Sequence, residues 1–300
     1  MPPWGRRVTR PAMSGSPKRS KMTLLAIRDE YRRLLSSLYA QDEIDDMFKR
    51  IIHFYFGWSP LKVGLTPHFI PDQASLSRLL HVLSALKKAE PLQYILGTTY
   101  FYGLKLQLNP SVLIPRPETE DLVAWVLEEN KQAEARVWDL CTGSGCIALA
   151  LKKAQPGWAL MGVDSSTQAL EISSKNATML GLDIQFEAQD ILCWHPQKTA
   201  DIIVANPPYV LPSERVNMHP NVLDYEPALA LFVPENDPLL FYRSILALGK
   251  NILREKGVIY FEINPLCTAE LLATGKKQGY VHSIVKKDIF GKERFVKFST

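Results

Sequence analysis

The sequence has few cysteines and no long apolar run. Its cysteines are Cys141, Cys146, Cys193 and Cys267. None forms a Cys-x-x-Cys pair and no His/Cys cluster has the spacing of a zinc site, so neither disulfides nor a bound metal are expected. No apolar run approaches the roughly 18 residues needed to cross a bilayer, which predicts no membrane span. We therefore expect an intracellular, cytoplasmic protein.

Acidic residues are missing from the first 21 positions, which carry six basic ones. This Pro-, Arg- and Ser-rich segment lacks hydrophobic periodicity, so residues 1–21 are predicted to be a disordered basic extension. An acid-free, Arg-rich start is also typical of a mitochondrial transit peptide, which would place the chain in the matrix. Because four prolines interrupt any amphipathic helix there, we favour an extension ahead of a start at Met22.

The remaining residues lack a basic excess. Residues 22–300 carry 29 basic and 31 acidic side chains, a net charge of −2, although the whole chain has +4. A protein that binds nucleic acid broadly shows the opposite balance. Stable binding to nucleic acid is therefore not expected.

Apolar spacing divides the chain into further domains. Over residues 22–90 apolar residues recur every three or four positions, with a loop at 57–71, which predicts a small helical domain. Residues 91–115 are aromatic and β-branched between glycines, so the stretch from Leu92 onward is predicted to be a β-hairpin linker. From 116 to 300 strands alternate with helices, which indicates a doubly wound α/β domain. A long loop is expected at 211–232.

Prolines stiffen the segment that opens this α/β domain. Thr119 is placed to cap a helix over residues 119–130. Arg116 and Glu118 lie just before it, and they are either surface charges or lining of a site. At the other end of the domain, residues 281–285 and 295–298 are predicted to close the sheet as an antiparallel pair.

A glycine-containing loop follows the first predicted strand of the α/β domain. Its residues are Cys141, Thr142, Gly143, Ser144 and Gly145. Such a loop lets the backbone approach a ligand closely at a helix amino terminus. It is not a dinucleotide fingerprint, because Cys141 takes the first glycine position and no third glycine follows. Nor is it a P-loop, because Gly-Lys-Ser/Thr is absent.

Acidic residues end the next two predicted strands. Asp164 lies about 20 positions past the glycine loop, where an acid suits a ribose hydroxyl pair. Asp190, with the backbone N–H of Ile191, is suited to an adenine edge. Each acid alone is equally well explained as a strand-end cap, but together they outline a nucleoside pocket.

The tetrapeptide Asn-Pro-Pro-Tyr at 206–209 follows an apolar run at 202–205 that is typical of a buried parallel strand. The prolines end the strand, so Asn206 and Tyr209 lie on a stiff turn at the edge where α/β sheets bind ligands. A plain proline-rich turn explains the tetrapeptide equally well. The glycine loop and the two acids upstream favour a site that binds a flat, NH-bearing group.

In this order the motifs resemble class I S-adenosylmethionine-dependent methyltransferases that modify a nitrogen attached to an sp² carbon. Leu-Ile-Pro-Arg-Pro-Glu-Thr-Glu at 113–120 resembles the signature of peptide chain release factor glutamine methyltransferases, the PrmC/HemK family. Further matches are Gln-Tyr-Ile-Leu-Gly at 93–97, Tyr-Glu-Pro at 225–227 and Asp-Ile-Phe-Gly-Lys-Glu-Arg at 288–294. The resemblance covers about residues 23–300.

Two positions depart from the family pattern. Cys141 stands where the family usually has glycine, and its backbone can still serve there if its dihedral angles are ordinary. Ile191 stands where some members have an aromatic residue that would stack on adenine.

The resemblance implies a Rossmann-like methyltransferase domain joined by a hairpin to a small helical domain that recognises the substrate. It implies S-adenosylmethionine as cofactor and N5-methylation of the glutamine in the Gly-Gly-Gln motif of bacterial-type release factors. The implied cofactor-binding residues are Cys141, Thr142, Gly143, Ser144, Gly145, Asp164, Asp190, Ile191 and Asn206. The implied substrate-binding residues are Arg116, Glu118, Asn206, Pro207, Pro208 and Tyr209.

For catalysis we hypothesise roles for three of these residues. The side-chain oxygen of Asn206 and the carbonyl of Pro207 accept hydrogen bonds from the two N–H groups of the target amide. Tyr209 stacks on the flat amide. A nucleic-acid amino-methyltransferase acting on adenine N6 or guanine is the alternative, but it predicts a basic face that the charge of −2 disfavours. A cofactor-binding module without catalysis is disfavoured by the intact Asn-Pro-Pro-Tyr.

Overall fold

The computed structural model describes residues 22–299. The prediction of a disordered extension at 1–21 lies outside these residues. Contacts between α-carbons divide the chain into two units, one ending at Lys88 and the other beginning at Ala89. The domain boundaries predicted near residues 90 and 115 stay predictions, and the hairpin lies within the second unit. In the part of the chain described, no helix is long and apolar enough to cross a bilayer.

Over residues 22–88 the first unit contains four helices. They are α1 (Leu24–Leu35), α2 (Gln41–Phe56), α3 (Pro60–Leu65) and α4 (Gln73–Leu86). Three of them, α1, α2 and α4, bury apolar side chains. Side chains three or four positions apart are buried, as Ile27 and Tyr31 are on α1 and Ile44 and Phe48 on α2, which is the pattern of an amphipathic helix. The rings of Tyr31 and Phe48 meet edge to face, with centroids 5.3 Å apart.

Helix α3 lies within residues 57–71, which the sequence predicts to be a loop, so that prediction is wrong for six residues. The Ser59 hydroxyl accepts a hydrogen bond from the backbone N–H of Lys62 at 3.3 Å, and Pro60 takes the first helical position. A side-chain cap followed by proline is enough to start a helix, even one too short to show a hydrophobic period.

The second unit begins with a short helix and a hairpin. These are α5 (Leu92–Leu96), β1 (Thr98–Phe101) and β2 (Leu104–Gln107). The sequence predicts an extended chain from Leu92, which is wrong, because Gly97 at φ 66° ends a helical turn as a left-handed cap. The antiparallel hairpin follows, and Tyr102 and Gly103 both take the positive φ that a tight two-residue turn requires.

A seven-stranded sheet organises the rest of the unit. Its strands are β3 (Arg136–Leu140), β4 (Ala159–Asp164), β5 (Gln185–Ala188), β6 (Ala200–Ala205), β7 (Leu253–Glu262), β8 (His282–Lys287) and β9 (Glu293–Ser299). The order is β5-β4-β3-β6-β7-β9-β8, and the first five are parallel. Strand β9 runs antiparallel to both neighbours. The predicted doubly wound sheet with a closing antiparallel pair is confirmed.

Helices cover both faces of this sheet. They are α6 (Pro117–Glu129), α7 (Cys146–Ala154), α8 (Thr167–Leu180), α11 (Leu240–Ile252) and α12 (Thr268–Lys277). The short helices α9 (Pro220–Leu223) and α10 (Ala228–Leu231) lie between α8 and α11 in the chain, in the segment at 211–232. Val137 packs in one hydrophobic cluster with side chains of α6 and α7, whereas Trp138 packs in another with side chains of α11 and α12. Adjacent strand residues point to opposite faces, so the two clusters lie on opposite sides of the sheet.

The segment at 211–232, predicted to be a long loop, is largely folded into short helices. It contains a 3₁₀ helix (Pro212–Asn217) followed by α9 and α10. Each of these follows a proline or begins with one, which fixes the backbone angle of the first turn. The chain here is thus a structured wall beside the carboxyl ends of the strands.

Candidate active site

Four chain segments meet at the carboxyl edge of the parallel strands. The glycine loop leaves β3, Asp164 ends β4, Asp190 follows β5 and Asn206 follows β6. The strand order changes direction between β3 and β6, and such a switch point opens a crevice for ligands. A cavity of about 360 Å³, called here the first cavity, is lined by residues from all four segments. Its volume suits a small ligand.

Hydrogen bonds hold the glycine loop against the ends of β3 and β4. The backbone N–H of Thr142 donates to the carbonyl of Val163 at 3.0 Å. The N–H of Gly143 donates to Oδ2 of Asp164 at 2.9 Å. Thr142, Gly143 and their neighbours Cys141 and Ser144 line the first cavity, so four of the five loop residues lie where a ligand in that cavity would be.

Gly145 differs from its neighbours in the loop because it does not line the first cavity. It lies against helix α8, and a Cβ atom added to it would approach the Cβ of Ser173 to 2.9 Å. Its φ of 80° also belongs to the left-handed region. The residue therefore permits close packing of the loop on α8, which fixes the loop from behind.

Asp139 on β3 holds the glycine loop by hydrogen bonds, and its role was not predicted from the sequence. It is fully buried, and its Oδ2 accepts hydrogen bonds from Thr142 Oγ1 at 2.6 Å and from the N–H of Ala148 at 3.1 Å. Among the described residues its Oδ1 has no partner. Burial raises the pKa of the carboxyl to about 7, although both hydrogen bonds oppose the shift. An acid inside an apolar strand is the signal that marks it in the sequence.

Because the pKa of Asp139 is raised in the folded protein, the free energy of unfolding should fall as pH increases. The unfolded chain ionises this carboxyl near pH 4, whereas the folded protein resists ionisation until about pH 7. Stability contributed by Asp139 is therefore lost as pH rises through this window. Asp139→Asn carries no charge in either state, so its stability relative to wild type should increase between about pH 4 and 7, by at most about 4 kcal/mol.

Thermal unfolding of both proteins at several pH values from 4.5 to 8.5 measures this difference. A difference in Tm that stays constant across the window would contradict the assignment. Asp183→Asn, the same change at an exposed acid ahead of β5, serves as the control for the substitution itself.

Cys141 adopts a backbone conformation that favours glycine. Its φ is 61°, in the left-handed region, so the condition that its dihedral angles be ordinary is not met. The physical reason is the loop itself, because the chain must turn sharply from β3 to bring Thr142 over the strand ends. Burial, with the carboxylates of Asp164 and Asp139 nearby, raises the pKa of the Cys141 thiol well above its usual value. The thiol is therefore not a nucleophile at neutral pH.

Cys141→Gly should stabilise the protein. Removing the Cβ atom from a left-handed position relieves about 1 kcal/mol, which corresponds to a rise in Tm of roughly 2–4 °C for a unit of this size. Cys141→Ala is the matched control, since it removes the sulfur but keeps the Cβ atom. Differential scanning calorimetry of the two variants decides the matter, and equal Tm values would show that the backbone is not strained there.

The predicted nucleoside-binding residues form one wall of the first cavity. Asp164 accepts hydrogen bonds from Gly143 and, through Oδ1, from the N–H of Ser166 at 2.9 Å. Each carboxylate oxygen accepts more than one hydrogen bond, so Asp164 can still bind a hydroxyl group. Asp190 forms a turn by accepting from the N–H of Leu192 at 3.0 Å. Ile191 is buried and presents an apolar surface to the same cavity.

A second cavity of about 270 Å³ lies beside the first. Pro207 and Tyr209 line the second cavity, and Pro208 lines the first. Asn206 lines both, as do Leu113, Arg116 and Ala230. The Asn-Pro-Pro-Tyr turn thus separates the two cavities and places the side chain of Asn206 where they meet.

Arg116 lines both cavities and is paired with a buried acid. Its Nη2 lies 2.7 Å from Oε1 of Glu226, whose Oε2 accepts from the N–H of Ile114 at 3.1 Å. The carboxylate of Glu226 is almost fully buried, so the ion pair joins the proline-fixed segment to the wall at 211–232. Glu118, predicted with Arg116 to bind substrate, lines neither cavity.

Thr119 lies in the first turn of α6 and does not cap the helix, so that prediction is wrong. The helix begins two residues earlier because Pro117 takes its first position. Thr119 is buried, and its hydroxyl lies 2.7 Å from Oε2 of Glu262 at the end of β7. The side-chain nitrogen of Asn206 lies 3.4 Å from the same hydroxyl.

Glu262 is the second acid that the sequence analysis missed. It is 1% exposed, and its Oε1 accepts from the Tyr209 hydroxyl at 2.9 Å. Burial raises the pKa of Glu262, while the hydrogen bonds from Thr119 and Tyr209 and the charge of Arg294 act in the opposite direction. As with Asp164, an acid at the end of an apolar strand was the signal that the sequence offered.

Comparison with known proteins identifies related chains. Residues 119–223 match the family model described as the methyltransferase small domain. The chain is 39% identical over 281 residues to a release factor glutamine methyltransferase of Flavobacterium psychrophilum, covering 92% of this chain and 99% of the relative. A protein of the same name from Bacteroides thetaiotaomicron is 40% identical over 267 residues, covering 88% and 96%.

Among solved structures, a methyltransferase from Pyrococcus furiosus resembles the chain with a TM-score of 0.50 at 14% identity. The match covers 74% of this chain and 96% of that one. At this identity the likeness concerns the fold alone, and it agrees with the class I methyltransferase architecture that the motifs imply.

Proposed function

Because this chain belongs to the release factor glutamine methyltransferases, we propose that it methylates the N5 nitrogen of the glutamine in the Gly-Gly-Gln motif of bacterial-type peptide chain release factors. It is an S-adenosylmethionine-dependent methyltransferase that acts on release factor glutamine. The sequence resemblance supports the choice of Gly-Gly-Gln and of N5, and the two adjoining cavities support a reaction between two bound molecules.

The first cavity fits S-adenosylmethionine by the chemistry of its lining. Asp164 and Asp190 offer carboxylates to hydroxyl and amino donors, Ile191 offers an apolar surface to a base, and the glycine loop offers backbone groups. We propose that the cofactor is held by Cys141, Thr142, Gly143, Ser144, Gly145, Asp164, Asp190, Ile191 and Asn206, with Gly145 acting only through the packing of the loop. When bound, the cofactor supplies an electrophilic methyl group.

The position of Asn206 carries this proposal. Its side chain is half-buried and lines both cavities. A residue at the junction contacts the group that gives and the group that receives in a transfer reaction. Pro207 lines only the second cavity of the two, so we assign that cavity to the glutamine side chain.

The protein must orient the amide, because an amide nitrogen is a poor nucleophile whose lone pair is delocalised into the carbonyl. We propose that Asn206 Oδ1 and the Pro207 carbonyl each accept a hydrogen bond from one N–H group of the glutamine amide and so hold its nitrogen in one orientation. Positive charge that develops on this nitrogen is shared through the same two hydrogen bonds until the nitrogen loses one of its protons. Both acceptors lie on a turn that proline fixes, so little reorganisation is needed.

Tyr209 has a fixed position in this arrangement. Its ring lines the second cavity, and its hydroxyl is held by Glu262. The Asn264 side chain donates to its carbonyl at 3.1 Å. Two anchors leave the ring as a rigid surface on which a planar amide can stack. Arg116 has its charge balanced by Glu226, so we propose that it shapes the wall between the cavities rather than binding an anion.

We further propose that the chain acts in the cytoplasm on release factors and does not bind nucleic acid stably. The bacterial relatives and the net charge of −2 over residues 22–300 support this. The mitochondrial alternative depends on residues 1–21, which lie outside the described part of the chain.

A transfer assay with radiolabelled S-adenosylmethionine tests the proposed function. The full chain is offered a bacterial-type release factor, the same factor with alanine in place of the Gly-Gly-Gln glutamine, and DNA and RNA of matched mass. Label is expected on the unaltered factor alone. Label on nucleic acid, or equal label on the alanine variant, would overturn the proposal.

A further inference from the structure

We propose that Thr119 and Glu262 determine which way the side-chain amide of Asn206 faces, and that they are therefore positioning residues for the methyl transfer. This inference rests on the proposed function, in which Asn206 Oδ1 accepts a hydrogen bond from the glutamine. It assigns a task to two buried polar residues on α6 and β7 that are far from Asn206 in sequence.

Which group donates and which accepts in this chain of hydrogen bonds follows from the number of protons that each group has. The Thr119 hydroxyl has one proton, and its oxygen lies 2.7 Å from Glu262 Oε2. A carboxylate only accepts, so that proton points to Glu262. The Thr119 oxygen is then left as an acceptor for Asn206, whose side-chain nitrogen lies 3.4 Å away.

The ionised form of Glu262 is the one that satisfies this network. Thr119 donates to Oε2 and Tyr209 donates to Oε1, so each hydroxyl proton has an acceptor. If Glu262 were protonated, it would donate to one of the two hydroxyls and that hydroxyl would have to turn its own proton elsewhere. The charge of Arg294 acts in the same direction as these two hydrogen bonds, against the burial that raises the pKa of Glu262.

The consequence is a single orientation for Asn206. Its NH₂ group is held by Thr119, so its Oδ1 faces away from Thr119 and is available to an N–H donor. With the amide turned over, Asn206 would present donors to a substrate nitrogen that also carries only donors. Nothing in the shape of an asparagine side chain prevents this, since its oxygen and nitrogen are nearly the same size. The hydroxyl of Thr119 breaks that symmetry.

The pair Thr119→Val and Thr119→Ser tests the inference because valine keeps the shape of threonine without its hydroxyl, whereas serine keeps the hydroxyl without the methyl group. Valine replaces the acceptor for the Asn206 NH₂ group by a methyl, so neither orientation of the amide is preferred there, and this should lower kcat about tenfold. Serine keeps the hydroxyl and should restore kcat to within about twofold of wild type. The Kd of S-adenosylhomocysteine should stay within about twofold of wild type in both. Thr178→Val, a change of an exposed threonine on α8, is the control.

A double-mutant cycle separates positioning from general damage. If Thr119 acts through Asn206, Thr119→Val should cost nothing further in an Asn206→Ala background. An equal loss of kcat in both backgrounds, or a serine variant as slow as the valine variant, would overturn the inference.

Nuclear magnetic resonance of protein labelled with ¹⁵N-asparagine gives a readout that does not depend on turnover. The Asn206 side-chain signal is identified by its absence in Asn206→Ala. It should shift and exchange faster with solvent in Thr119→Val but not in Thr119→Ser, and an unchanged signal in the valine variant would overturn the inference. A wild-type chain that fails to label release factor would instead refute the proposed function, while this measurement would still report the orientation.

Discussion

Asn206→Ala is expected to lower kcat for release factor methylation by about 100-fold or more, the effect seen when one preorganised hydrogen-bonding group is removed from a catalytic site. The variant loses the acceptor that orients the glutamine amide, while the carbonyl of Pro207 remains. Because the first cavity keeps its acids and its glycine loop, the Kd of S-adenosylhomocysteine should change only a few-fold. Single-turnover kinetics and isothermal titration calorimetry measure the two quantities separately.

The control for this prediction is Asn251→Ala, which changes an exposed asparagine near the end of α11. It should turn over like wild type. A near-wild-type kcat for Asn206→Ala with unchanged cofactor binding would refute the catalytic role of Asn206. A large loss of cofactor affinity instead would place its main contribution in the first cavity.

Asp164→Ala is expected to weaken cofactor binding by about 10- to 100-fold, since hydrogen bonds to a charged group contribute roughly 1.5–3 kcal/mol each. The variant loses a proposed acceptor for the ribose hydroxyls and also releases the N–H groups of Gly143 and Ser166. The loop then loses one of the bonds that hold it over the cavity. Titration calorimetry with S-adenosylhomocysteine measures the change.

Asp164→Asn helps to separate the two contributions. Its side chain keeps one oxygen acceptor, so it should bind with an affinity between those of wild type and the alanine variant. Asp183→Ala, the exposed acid at the opposite edge of the sheet, should bind as tightly as wild type. If Asp164→Ala binds the ligand normally while its Tm falls, then Asp164 only supports the loop.

The sheet and its site edge were predictable because each signal was local. A short apolar run ending in an acid or in Asn-Pro-Pro-Tyr marks a buried parallel strand and its carboxyl end, as Asp164 and Asn206 show. Parallel strands align these ends at one edge, so residues far apart in sequence come together without further information. The antiparallel pair that closes the sheet was also predictable from local signals, namely the short extended runs at 281–285 and 295–298.

The errors arose where the structure depends on backbone angles or on partners distant in sequence. Gly97 ends a helical turn at residues whose aromatic and β-branched side chains favour strands. Cys141 takes a left-handed angle that its side chain disfavours. Thr119 is a residue type that often caps helices, yet the helix begins earlier, at Pro117. The hydroxyl of Thr119 instead donates to Glu262, which is 143 positions away. Sequence spacing contains no record of such a pairing.

The wall that the two cavities share has a thermodynamic consequence. Leu113, Arg116, Asn206 and Ala230 line both cavities, and the Arg116–Glu226 pair holds the wall in one position. A molecule that moves this wall on entering one cavity alters the shape of the other. Whatever factor the methyl donor applies to the affinity for the glutamine, the glutamine must apply to the affinity for the donor. Under the proposed assignment of the two cavities, any effect of the methylated glutamine on the affinity for spent donor is matched by an equal effect of spent donor on the affinity for the methylated glutamine.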